Sequence, residues 1–149
     1  MGAGVARACA VTCIVAWFVA LSIFDVRRRR LPNALTLPGA GLILAGAALS
    51  GRGVPALVGA AGLVALYLGV HLVAPAGMGA GDVKLAIGVG ALTGAFGIGA
   101  WMLAAVAAPL LTTLWGIGTA AWRTERTVPH GPSMCVTAAV AVALALLPP

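Results

Sequence analysis

Acidic residues are nearly absent from this chain of 149 residues: Asp25, Asp82 and Glu125 are the whole set. Charged residues of either sign make up 8%, against about 25% in an average soluble domain. So few charges cannot build a water-facing shell, which excludes an ordinary soluble enzyme and a disordered tail. Any chemistry that needs two carboxylates must draw on two of the three. Histidine is limited to His71 and His130, with no His-Glu-x-x-His, which counts against a metalloprotease. The three cysteines, Cys9, Cys13 and Cys135, form no Cys-x-x-Cys, and a disulfide-rich secreted module is excluded. Cys9 and Cys13 share one helical face without a nearby His or carboxylate, so they read as packing rather than metal ligands. Ser22, Ser50 and Ser133 lack a Gly-x-Ser-x-Gly setting, which counts against a serine hydrolase.

What the chain has instead is apolar length. Hydrophobic residues make up 62% and the mean hydropathy is +1.10. One membrane crossing takes roughly 20 helical residues, so six crossings would use roughly 120 and leave no room for a soluble domain. The runs are apolar throughout rather than alternating, which predicts helices rather than a barrel. Breaks at Pro, Gly and charge place six runs near 5–24, 35–49, 55–73, 82–93, 97–121 and 134–147. The boundary between the fourth and fifth, near 92–97, is the least defined, and a re-entrant pair is an alternative there. The expected fold is an all-α, polytopic membrane bundle of about six transmembrane helices, a single domain over 1–149.

Charge sets the expected orientation. With six spans, Arg27, Arg28, Arg29, Arg30, Lys84, Arg123 and Arg126 fall on one side, Arg7 and Arg52 on the other. The positive-inside rule makes the richer side cytoplasmic and leaves both termini outside. The net charge of +6 then reads as topology, not as a nucleic-acid-binding face. Positive residues follow the first apolar run instead of preceding it, the wrong polarity for a cleaved signal peptide. Trp17, Trp101, Trp115 and Trp122 read as packing or interfacial anchors, with Trp101 and Trp122 near opposite ends of the fifth run as an aromatic belt would be.

Ionisable residues at membrane spans are costly and are candidate functional groups. Asp25 ends the first run and Asp82 begins the fourth, so this topology puts both at the same face. Taken singly, Asp25 could pair with the following arginines, and Asp82 could cap a helix. As a pair at one depth they could share a proton, one serving as general base on a water and the other polarising a carbonyl. Glu125 reads as a solvated loop charge. Asp82 lies in Gly79-Ala80-Gly81-Asp82-Val83-Lys84-Leu85, where Gly79 and Gly81 permit close approach of a second chain. Lys84 does not share a helical face with Asp82 and is expected at the headgroups. Asp25 precedes four arginines and then Leu31-Pro32-Asn33, a turn that re-enters the membrane.

At these residues the chain resembles the type IV prepilin peptidases, the GxGD membrane aspartyl proteases that include archaeal preflagellin peptidases. An Asp followed by a basic stretch and Ile/Leu-Pro-Asn is matched by Asp25 with Leu31-Pro32-Asn33. Gly-x-Gly-Asp-x-Lys-Leu is matched from Gly79 to Leu85. A weaker Pro-x-Gly-Pro turn is matched by Pro129-His130-Gly131-Pro132. The resemblance implies an aspartic endopeptidase of the bacterial cytoplasmic membrane. Such an enzyme cleaves the basic leader from pilin-like precursors at the cytoplasmic face. Asp25 and Asp82 are then the catalytic pair, supported by Gly79, Gly81, Lys84, Pro32 and Asn33, without metal or cofactor. With its first span close to Met1 and no Cys-x-x-Cys, the chain resembles the short, peptidase-only members of tight-adherence (Flp) pilus systems, and methyltransferase activity is not expected. Expected partners are the precursor and the bilayer, with a homo-oligomer left open. Two other readings carry the same acids: a non-catalytic membrane assembly subunit of a pilus or secretion system, and a small ion-coupled transporter.

Overall fold

The computed structural model describes residues 2–75, 77–120 and 128–147. They form α1 (Gly2–Arg28), α2 (Asn33–Leu49), α3 (Gly53–Val73), α4 (Ala80–Ala95), α5 (Ile98–Ala120) and α6 (Gly131–Ala145), with no strand among the described residues. Arg123, Glu125, Arg126 and Trp122 lie outside the described residues. The boundary left open by the sequence falls at Phe96-Gly97, where Gly97 takes φ +112°, a conformation open to glycine. Two other boundaries move. α1 runs past Phe24 to Arg28, so Asp25 lies inside the last turn of the helix instead of ending it. α6 starts at Gly131, ahead of Met134, because a proline such as Pro132 is accepted in a first turn where no intrahelical N–H bond is needed.

Three helices, α1, α3 and α5, are long and apolar enough to cross a hydrocarbon core. α2, α4 and α6 have 17, 16 and 15 residues. At about 1.5 Å of rise per residue they fall short of a core about 30 Å thick. Of the six expected crossings, three correspond to helices long and apolar enough to span, and the other three correspond to shorter helices.

α4 is the axle of the bundle and packs on α2, α3, α5 and α6. Between helices in lipid there is no hydrophobic drive, and close packing of small residues takes its place. α4 supplies these in Ala86, Gly88, Gly90, Ala91 and Gly94, all buried. Its crossing with α3 depends on them: a Cβ on Gly94 would stand 2.7 Å from the Pro55 carbonyl oxygen and 2.8 Å from the Gly59 Cα. Larger side chains then fill the centre, with Leu21, Leu63, Leu85, Val89, Met134 and Ala138 in one cluster.

Tryptophans bind the helices to one another. Trp17 donates from Nε1 to the Leu35 carbonyl at 2.8 Å, joining α1 to α2. Trp101 donates to the Gly59 carbonyl at 2.9 Å, joining α5 to α3. Of the two roles expected for Trp101, packing or interfacial anchor, its N–H serves the first, inside the bundle. The chain runs up and down, so the ends of α1, α3 and α5 meet the starts of α2, α4 and α6 at one end. At the opposite end, Arg52 donates to the Ala95 carbonyl at 3.3 Å, satisfying the last turn of α4.

Candidate active site

The site grows from three helix ends. α1 stops at Arg29, whose φ of +49° turns the chain and whose N–H returns to the Asp25 carbonyl at 2.8 Å. Pro32 then sits ahead of α2 with extended backbone, and its carbonyl receives the Thr36 N–H at 3.1 Å. α4 starts after Gly79. Asp82 is at the third position of that helix, and its Oδ2 accepts the Gly79 N–H at 3.2 Å. Glycine has no side chain to return the bond, so only the reciprocal half of a capping box is present. Asp82 thus caps α4 from within the first turn, not as the residue before it.

Asp25 finds its partner across the bundle. Its Oδ2 accepts the Gly131 N–H, the opening amide of α6, at 2.9 Å. Such amides have no intrahelical acceptor, and a carboxylate suits them. Both acids are buried, Asp25 at 7% and Asp82 at 8% exposure. Asp82 lies within electrostatic reach of Asp25 across the end of the bundle. The two acids, 57 positions apart in the sequence, thus stand at the same end of the bundle. Gly79 and Ala80 beside Asp82 are exposed, which leaves an open approach to a buried pair.

The supporting residues divide. Lys84 does not reach outward: its Nζ donates to Asn33 Oδ1 at 2.8 Å, tying the start of α4 to the start of α2. The headgroup expectation is corrected, because this half-buried lysine finds an amide oxygen within its own bundle. That one bond also fastens the segment after Asp25 to the segment holding Asp82. Gly81 does not leave room for an incoming chain. A Cβ there would meet the Leu31 side chain at 3.3 Å, so Leu31, buried, already occupies the space. Gly79 meets only its own Asp82, at 3.5 Å from such a Cβ, and remains open. Pro32 acts through backbone direction, setting the entry to α2.

Sequence reasoning missed a second polar cluster at the same end. Tyr67 hydroxyl and His130 Nε2 are 3.0 Å apart, and His130 Nδ1 and Thr112 Oγ1 are 2.6 Å apart. His130 precedes α6 and lies outside it; burial lowers its pKa to about 4, keeping the ring neutral. The signals available were Tyr67, the one tyrosine of an apolar chain, and the place of His130 in the matched Pro129–Pro132 turn. Ser133, 1% exposed, has an Oγ without a hydrogen-bond partner among the described residues. Cys135 is buried in the core cluster, while Cys9 and Cys13 are exposed. Among the described residues, no three His, Cys, Asp or Glu converge as a metal site.

Comparison with known proteins falls on this geometry. A model described as the type IV leader peptidase family matches residues 12–118, which include both acids and both motifs. The chain belongs to the type IV leader peptidase family. Neither the curated proteins nor the solved structures gave a match. As a leader-peptidase family member built of apolar helices, the chain is a multi-pass membrane protein with aspartic-type peptidase activity. The matched region ends before α6, so the amide that holds Asp25 comes from outside it.

Proposed function

We propose that this chain is a prepilin leader peptidase: an aspartic endopeptidase that removes the basic leader from type IV pilin-like precursors, with Asp25 and Asp82 as the catalytic pair. The observation that carries the reading is two buried carboxylates at one end of the bundle, Asp82 within electrostatic reach of Asp25, each accepting a backbone N–H at Oδ2. Because both amides fall on Oδ2, the Oδ1 atoms are the ones this reading assigns to proton transfer.

In the proposed reaction one carboxylate is ionised and the other protonated. The ionised one takes a proton from water as the water oxygen bonds to the scissile carbonyl carbon. The protonated one gives its proton to the carbonyl oxygen. The resulting gem-diol collapses as the carboxylate now ionised takes a hydroxyl proton, the C–N bond breaks, and the leaving nitrogen takes the proton held by the other carboxylate, which returns the pair to its starting state. No covalent enzyme intermediate forms, and the pair titrates as a unit. Arg27–Arg30 mark the cytoplasmic membrane face and fix the depth of the site. The substrate enters beside exposed Gly79, and the enzyme works in the bacterial cytoplasmic membrane with the site toward the cytoplasm.

The test is incubation of the purified chain in detergent with a pilin-like precursor bearing a basic leader, read by mass spectrometry. A single cut between leader and apolar helix supports the reading. An intact precursor with a folded enzyme contradicts it, and proteoliposome uptake dependent on both acids would point to transport instead.

A further inference from the structure

His130 is anchored on two helices at once. Its Nε2 lies 3.0 Å from the Tyr67 hydroxyl and its Nδ1 2.6 Å from Thr112 Oγ1, which also lies 3.0 Å from the Ala108 carbonyl oxygen. A neutral imidazole carries one donor and one acceptor and so matches two hydroxyls. The result is a polar chain from Tyr67 on α3, through His130, to Thr112 and Ala108 on α5. Every member is satisfied with the imidazole neutral, the state in which burial holds it.

The residue that follows His130 is Gly131, whose N–H meets Asp25. The fit leaves no slack: a Cβ on Gly131 would stand 2.7 Å from Asp25 Oδ2. At its other end the chain begins on Tyr67, which is buried and within electrostatic reach of Asp82. The bridge thus fixes His130, the residue just before the amide that meets Asp25, and starts on a tyrosine within electrostatic reach of Asp82.

We propose that His130, clamped between Tyr67 and Thr112, is a positioning residue that sets the Gly131 amide on Asp25 and so holds the catalytic carboxylate in its reactive geometry. The proposal rests on the reading of Asp25 and Asp82 as the catalytic pair. His130 touches neither substrate nor reacting atom; it acts through the first turn of α6. Its contribution belongs to the rate of the chemical step and not to substrate binding, because the amide it places reaches the carboxylate alone.

The experiment compares wild type, Tyr67→Phe, His130→Asn, the double variant and Asp25→Asn in the precursor-cleavage assay, with unfolding temperature measured in the same detergent. Tyr67→Phe keeps the ring and removes one hydroxyl, so the fold has a variant it tolerates. His130→Asn keeps a polar group near Nδ1 and removes the ring nitrogen facing Tyr67. The expected result is a kcat lowered about tenfold by either substitution, the weight of one hydrogen bond, with KM unchanged. The double variant should be no slower than the slower single one, since both cut the same bond. Wild-type kcat in Tyr67→Phe and His130→Asn, with Asp25→Asn inactive, overturns the proposal and leaves the catalytic pair standing. So does a change confined to KM, or a loss of activity that merely follows a fall in unfolding temperature. Wild-type cleavage by Asp25→Asn overturns the pair and the proposal with it.

Discussion

At the scale of single residues, the site is defined by how few groups it uses. Two backbone N–H groups hold the two carboxylates. Gly131 is the most exposed to test, since any side chain there drives into Asp25 Oδ2. Gly131→Ala should keep the helical content seen by circular dichroism and lower the cleavage rate by at least about tenfold, because the carboxylate must give way. His130 carries a separate expectation in pH. Its pKa is near 6.5 when exposed and about 4 in the fold. Between those values the unfolded chain binds the proton more readily, so this residue's contribution to stability falls as pH drops from about 6.5 to about 4. The unfolding temperature of wild type in detergent should fall more steeply over that window than that of His130→Asn, with the Tyr67 phenol and the neighbouring Asp82 common to both.

At the scale of elements, the two motifs of the sequence are one object. Lys84 on α4 and Asn33 on α2 share a bond of 2.8 Å that ties the starts of the two helices together. Lys84→Met should reduce the unfolding temperature by a few degrees and slow cleavage several-fold, as expected for loss of about 1 kcal/mol. The α3–α4 crossing should be less forgiving. Gly94→Val forces a side chain into the Pro55 carbonyl and the Gly59 backbone, costing about 1–3 kcal/mol by overpacking, read as a lower unfolding temperature. Much of this level was legible in the sequence. Breaks at Ser50-Gly51-Arg52 and Ala74-Pro75 mark true helix ends, because Gly, Pro and charge act locally. The roles of Lys84, Gly81 and Trp101 were not. Each depends on a neighbour more than 40 positions away, and periodicity carries no information on which helices touch.

At the scale of the molecule, scarcity of acid made the site legible. With three carboxylates in the chain and two of them in matched motifs, the pair could be named before any distance was known. Burial then distinguishes them from ordinary helix-end charges. The entry to α6 was matched as the Pro129-His130-Gly131-Pro132 turn but given no part in the site. Its contribution is a backbone amide, and an amide leaves no signature in residue type beyond the glycine that admits the carboxylate. The bundle around the pair is built of small residues packed on a central α4, which gives a rigid frame for two side chains that must meet. A metal chelator should leave cleavage unchanged if the two carboxylates alone activate the water.

The most direct measurement is the initial rate of leader removal by folded Asp25→Asn and Asp82→Asn in detergent. Asparagine keeps the shape and the accepting oxygen for Gly131 or Gly79 but can neither take nor give the proton. Two carboxylates acting as one catalytic unit require each variant to fall at least about a thousandfold, and the double variant to fall no further. Cleavage at the wild-type rate by either variant would contradict the pair.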